Sequence, residues 1–261
     1  MSTLKTVLSQ KIDAHRPRIT KLVKECGDVK LGDVTIAQAI GGARGIKCLV
    51  TDISYLDPFE GIRFRGMTIP ETFDVLPKVP GSDYPFVEGF WYLLLTGDVP
   101  TMEQTLEVVE DWKKRSVVPQ YVYDVLNALP DDAHPMAMFS SAVLAMQRDS
   151  VFASNYAAGK FNKMTCWEDM YEDANNMMAK LGPIGAYIYR KKYKNNEQIA
   201  ADPNLDMGGN FAHMMGVPAP YDDVARMYFI LHSDHESGNV SAHTTHLVAS
   251  ALSDAYYAYS A

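Results

Sequence analysis

Four of the chain's seven histidines fall within fifteen residues, in the run Leu231-His232-Ser233-Asp234-His235-Glu236-Ser237-Gly238-Asn239-Val240-Ser241-Ala242-His243-Thr244-Thr245-His246. His232/His235 and His243/His246 are each spaced i,i+3. On a helix that spacing brings two rings to one face, as metal ligands and paired acid–base groups both require. As zinc ligands the pairs offer imidazole nitrogens, but the segment has neither an H-E-x-x-H pattern nor a nearby thiolate, so no metal is expected. A plainer reading makes His243 and His246 satisfied polar residues on a packed helix, each ring bonded to a carbonyl or hydroxyl.

A third reading comes from the elements that must position these rings. Residues Tyr221 to His232 have helical spacing, Gly238-Asn239 breaks it, and Val240 to Ser253 resumes it with Asn239 placed as the cap. The intervening loop then sets His235 beside free backbone amides and the positive end of a helix dipole, a site suited to a carboxylate. An imidazole there can also donate to a substrate carbonyl and polarise it. The competing reading is an interhelical turn whose His and Asp cap each other, and spacing alone leaves both open.

The rest of the chain reads as the scaffold for that segment. It has 261 residues, 47% of them hydrophobic and 21% charged, the composition of one large globular domain rather than a disordered or low-complexity chain. Apolar periodicity predicts helices over residues 3–23 (interrupted near Pro17), 87–96, 101–116, 120–128, 136–147, 167–193, 211–215, 221–231 and 240–253. Thr101-Met102-Glu103-Gln104 is a capping-box start, and Lys191 to Asp206 is polar enough for a surface loop. The good strand signals are Lys47 to Ile53 and Gly61 to Ile69, joined by a turn at Leu56-Asp57-Pro58, which predicts one small hairpin. The fold class is therefore all-α with one β-hairpin near the N-terminus.

Charge and cysteine usage narrow the partners. With 24 Lys+Arg against 32 Asp+Glu the formal charge is −8, which disfavours nucleic acid, while a small anion answers mainly to the groups lining its own pocket. No apolar stretch approaches the roughly 18 residues of a membrane span. Cys26, Cys48 and Cys166 are widely spaced without C-x-x-C, which reads as buried reduced thiols. The first residues lack the layout of a secretion signal and carry Asp13, so a cytoplasmic address is expected, with a mature mitochondrial-matrix form as the alternative. Among other candidates, Arg63 and Arg65 read as a solvated or ion-paired strand face, and Met136, Met138 and Met146 as core or interface filler.

The run HSDHESGNVSAHTTHLVASALSD resembles the signature of citrate synthase, typically H-S-D-H-E-G-G-N-V-S-A-H-T. Segments GGARGIKCLVTDISYLDPFEGIRFRGMTIPE from Gly41, FWYLLLTGDVPT from Phe90 and HPMAMFSSAV from His134 agree in order, and are nearer the dimeric eukaryotic-like type than the hexameric bacterial one. The resemblance implies a mostly helical homodimer that condenses oxaloacetate with acetyl-CoA to citrate and CoA, with acetyl-CoA as substrate and no cofactor. It further implies that His235 contacts oxaloacetate, that Asn239 helps to position it, and that Arg44 lies near the CoA phosphates.

Departures from the family pattern matter as well. Ser237 and Ala249 stand where glycine is usual, and Ala255 where proline is common. The family's enol-stabilising histidine, in G-P-L-H-G, its catalytic aspartate and its second histidine are expected beyond the point matching Ala261. On this reading residues 1–40 form an N-terminal helical segment and residues 41–261 an incomplete large helical domain that lacks catalytic residues. Tyr256, Tyr257 and Tyr259 would then pack against the missing part. Two other readings stay beside this one: a 2-methylcitrate synthase, and a non-catalytic helical dimerisation module.

Overall fold

The computed structural model describes residues 2–42, 45–46, 51–236 and 240–261. The helices are α1 (Thr3–Cys26), α2 (Ile36–Ile40), α3 (Ile69–Val75), α4 (Val87–Thr96), α5 (Met102–Arg115), α6 (Gln120–Ala128) and α7 (Pro135–Met146). They continue with α8 (Val151–Ala157), α9 (Cys166–Tyr193), α10 (Met207–Met215), α11 (Tyr221–Leu231), α12 (Val240–Ser250) and α13 (Ala255–Ser260). Strands β1 (Ser54–Asp57), β2 (Gly61–Phe64) and β3 (Met67–Thr68) form one antiparallel sheet in the order β1-β2-β3. The mostly helical class stands. None of the described helices is long and apolar enough to cross a membrane.

Turn chemistry moves the strands from where periodicity puts them. Asp57 Oδ1 accepts from the Phe59 and Glu60 amides at 2.8 and 2.9 Å, an Asx turn that pairs Asp57 with Gly61. The strand paired through this turn is Ser54–Asp57; of the expected 47–53, residues 51–53 carry no strand and Lys47 to Val50 lie outside the described residues. Arg65 and Gly66 both have positive φ, 49° and 88°, and form a two-residue turn that twists the ribbon in the favoured sense. That turn splits the expected second strand into β2 and β3. Thr68 then closes a reciprocal capping box with Glu71, so Ile69 opens a helix instead of ending a strand.

The 28-residue α9 is the spine, packing against α5, α7, α8, α10 and α13. On one side Leu126, Met138, Met146 and Ile184 form a core between α6, α7 and α9. On another, Leu4, Tyr92, Trp112 and Tyr171 join α1, α4, α5 and α9. A single polar group organises that second core: buried Asn175 accepts from the indoles of Trp91 and Trp112 at 3.2 and 2.9 Å and donates to the Tyr171 carbonyl. Of Met136, Met138 and Met146, Met136 is exposed while Met138 and Met146 fill core.

Helix α1 runs unbroken through Pro17. Proline there removes one backbone donor, while buried Leu4 and ion pairs from Lys5 to Glu172 and Lys11 to Asp98 hold the first half of the helix to the body. Its far end is exposed and carries Cys26, which is free; Cys166 is half-buried and free, so neither is the buried thiol expected, and Cys48 lies outside the described residues.

The C-terminal tyrosines also divide. Asp254 caps α13 through the Tyr257 amide at 3.0 Å and accepts from Gln147 Nε2 at 2.9 Å. Tyr256 is thereby driven into the α6/α7/α9 core at 2% exposure, while Tyr257 and Tyr259 remain 48% and 49% exposed. Tyr256 thus packs against this chain itself. Tyr256→Ala is expected to lose about 3–5 kcal/mol of unfolding free energy, as for a buried aromatic truncation, and Tyr257→Ala to stay within about 0.5 kcal/mol. Urea denaturation of both variants checks this, and equal losses would mean that α13 is not docked.

Candidate functional site

The histidine segment hangs from α11, which is fixed at two points. The first is Arg226. Its guanidinium reaches Asp206, the residue before α10, through Nε at 3.0 Å and a terminal nitrogen at 2.7 Å, with both side chains 3% exposed. Its other nitrogen meets Asp222 at 3.0 Å and Asp223 at 2.8 Å, one turn earlier on the same helix. Such a pair is costly to bury and tolerable only with this many hydrogen bonds. Glycines make the approach possible: a Cβ on Gly208 would sit 2.6 Å from Arg226 Cγ, and one on Gly209 would sit 2.9 Å from Asp206 Oδ1.

The second point is Ile230, fully buried against Phe64 of β2, Leu76, and Phe90 and Leu93 of α4. Just beyond it the helix ends in side-chain caps. The His232 ring lies near the Tyr228 carbonyl at 3.1 Å and stacks on the Tyr228 ring at 4.0 Å, and Ser233 Oγ donates to the Ile230 carbonyl. Glu236, with φ of 57°, turns the chain and donates its amide to Ser54 Oγ of β1 at 3.0 Å. Between these anchors Asp234 is half-buried and His235 is exposed. No hydrogen bond to the His235 ring occurs among the described residues, so that ring is presented rather than consumed.

The other expected site residues fall differently. Asn239 and Arg44 lie outside the described residues, as does the start of the cap proposed for α12. α12 packs against α13 and has no buried residue, and His246 is exposed; the packed-helix reading fails for that ring because this helix does not enter the core. Among the described residues no three His, Cys, Asp or Glu side chains are grouped as metal ligands. Arg63 pairs with Glu60 at 2.9 Å, and Arg65 pairs with Asp52 while donating to the Leu94 carbonyl at the end of α4. Both arginines are therefore structural, as expected, though Arg65 acts as a helix C-cap from a turn rather than on a strand face.

Two residues were not legible as site determinants. Arg226 had a signal in Asp222-Asp223-x-x-Arg226 at i,i+4 and i,i+3. Glu88 stood out only as a charge within the apolar run Phe86 to Leu95. It is 1% exposed, with Oε1 accepting the Met207 amide at 2.9 Å and Oε2 without a partner among the described residues. Burial, reinforced by the charge of Asp206, pushes its pKa up to about 7. A cavity of about 40 Å³ adjoins it, bounded by Trp112, Ala179, Pro183, Met207 and Met214.

Comparison with known proteins places this arrangement. The model of the family described as "Citrate synthase, C-terminal domain" matches residues 42–261. The chain belongs to the citrate synthase family. "Citrate synthase 4, mitochondrial" of Arabidopsis thaliana is 46% identical over 263 residues, covering 99% of this chain and 54% of that protein. "Citrate synthase, mitochondrial" of Xiphias gladius is 45% identical over 262 residues, 100% of this chain and 56% of its own length. The crystal structure of citrate synthase from Pyrobaculum aerophilum shares the fold, with a TM-score of 0.73 and 27% identity over 88% of this chain and 56% of that one. The chain spans about half the length of the curated relatives it matches.

In this citrate synthase fold the buried and solvated sides of the Arg226 cluster are of unequal strength. Arg226→Met, which leaves Asp206 buried and unpaired, is expected to destabilise by about 3–5 kcal/mol. Asp222→Asn, at the solvated side of the same cluster, is expected to cost about 1 kcal/mol or less. Chemical denaturation distinguishes them, and a near-neutral Arg226→Met would show that Asp206 does not depend on its partner.

Proposed function

We propose that this chain supplies the oxaloacetate-contacting part of a citrate synthase, with His235 as a residue that contacts oxaloacetate. The observation that carries the reading is the exposed His235 ring, without a hydrogen-bond partner among the described residues and held on a loop tied through Ile230 and Glu236, within a segment that keeps the family's H-S-D-H-E and N-V-S-A-H-T residues. In the reaction the enol of acetyl-CoA adds to the ketone carbon and negative charge develops on the ketone oxygen. The family's second histidine, expected beyond the match to Ala261, would stabilise that charge where it appears, while a hydrogen bond from His235 holds oxaloacetate in place. Asn239 would steady the same ligand and Arg44 would meet the CoA phosphates.

Forming the enol needs a base and a second donor on the thioester oxygen, and the family supplies these from an aspartate and a histidine expected beyond the match to Ala261. The 261 residues are therefore read as inactive alone, and as working in a homodimer when joined to such a segment. The names of the relatives, citrate synthases described as mitochondrial, support citrate as the product and favour a mitochondrial address over a cytoplasmic one.

Two measurements on the 261-residue chain test this. Thiol release from acetyl-CoA with oxaloacetate is expected to be absent, and clear turnover would overturn the assignment of base and enol donor elsewhere. Calorimetric titration with oxaloacetate is expected to show binding that His235→Ala weakens roughly 10- to 100-fold, the worth of one hydrogen bond to a charged ligand at about 1.5–3 kcal/mol. Unchanged affinity would remove His235 from the site.

A further inference from the structure

The buried carboxyl of Glu88 is not accounted for by the chemistry above, yet it sits where the supports of the histidine loop converge. It belongs to the first turn of α4, and its Oε1 accepts the amide of Met207, the first residue of α10. The residue before Met207 is Asp206, both of whose oxygens hold Arg226 on α11. One carboxyl therefore joins α4 to the α10 end of the clamp that fixes α11 and, beyond it, His232 to Glu236.

The charges around Glu88 make ionisation costly. Asp206 faces it from α10, and the buried cation that acts on it, Arg226 of α11, is already shared among Asp206, Asp222 and Asp223. Lys113 of α5 lines the same cavity, but its Nζ is engaged by Glu110 at 3.0 Å. Ala179 and Pro183 of α9 contribute only apolar wall, and His213, also on α10, meets the Ala200 carbonyl. With Oε2 unpartnered among the described residues and beside the cavity, a protonated Glu88 leaves no bare charge, whereas a carboxylate there must draw in water or turn away from Met207.

We propose that Glu88 is a positioning residue for the histidine loop, a neutral buried acid whose loss of a proton loosens α10 and α11 from α4. Its consequence for oxaloacetate rests on the assignment of His235 above; the coupling of Glu88 to the loop does not. The upward shift of Glu88 agrees in sign. A carboxyl whose folded pKa exceeds its unfolded one favours the fold at low pH, and that contribution is lost as pH rises from the ordinary carboxylate range to about 7.

The test uses wild type and Glu88→Gln, which keeps an acceptor for the Met207 amide but cannot ionise. Trp112, in the wall of the same cavity, reports the charge. Its emission in wild type is expected to titrate with a midpoint near 7, a transition absent from Glu88→Gln. Hydrogen-exchange protection of residues 226–236, corrected for intrinsic rates, is expected to fall several-fold across the same midpoint in wild type and to stay level in the variant. A wild-type midpoint below about 5.5, or loop protection that is equal at pH 6 and pH 8, overturns the proposal. If Glu88→Gln does not fold, the two wild-type curves still decide the matter. Oxaloacetate titration at pH 6 and pH 8 separates the two claims: no binding at either pH refutes the His235 assignment alone and leaves the exchange result to stand or fall by itself.

Discussion

The arrangement depends most on one buried cation. Arg226 joins α10 to α11 through Asp206 and gathers the first turn of α11 through Asp222 and Asp223. A guanidinium can do this because it is planar, keeps its charge and presents several donors at fixed angles; an ammonium in its place would satisfy one carboxylate and leave others bare. The constraint reaches into the sequence on either side. Asp206 must precede α10, and Gly208-Gly209 must follow it without side chains, because the Arg226 stem at Gly208, and the Asp206 carboxylate with the guanidinium at Gly209, occupy the space a Cβ would take. What looks like a weak helix start at Met207-Gly208-Gly209 is thus set by tertiary packing, which overrides local propensity.

The long helices were legible because each has an apolar face of clear period and a visible stop. α4, α6 and α11 begin and end at the residues expected, and the Thr101/Gln104 box closes in both directions. The short elements were hidden by stronger nearby signals. The alternation from Gly61 to Ile69 concealed both the Arg65-Gly66 turn and the Thr68/Glu71 box, although the residues of each were present to be read. The Thr35/Gln38 box that opens the five-residue α2 was likewise present to be read. For the site, the positions of His232 and His235 followed from spacing, but what holds them did not. Arg226 meets Asp206 twenty residues back, and the Glu88 tie to Met207 spans 119 residues, distances at which periodicity carries no information.

The described part of the loop also shows how an acidic protein can present the ring proposed to contact a dicarboxylate. His235 is flanked by Asp234 and Glu236, whose charges would repel a dicarboxylate. The Glu236 amide is turned to Ser54 and Asp234 is half-buried, so the exposed ring is the feature this stretch offers to solvent. Presentation here is achieved by backbone direction rather than by net charge.

The bond between Glu236 and Ser54 links residues 182 positions apart. Closing a loop of that size costs chain entropy that a single hydrogen bond, worth about 1 kcal/mol net, does not return. It can form only after the Ile230, Phe64 and Phe90 contacts have brought β1 and α11 together. It can also break while they persist, since it contributes almost nothing to their cohesion. The loop bearing His235 is thus among the last parts of the molecule to assemble and the first to open. Its excursions are sub-global events of low free energy, with kinetics independent of the unfolding of the helical core.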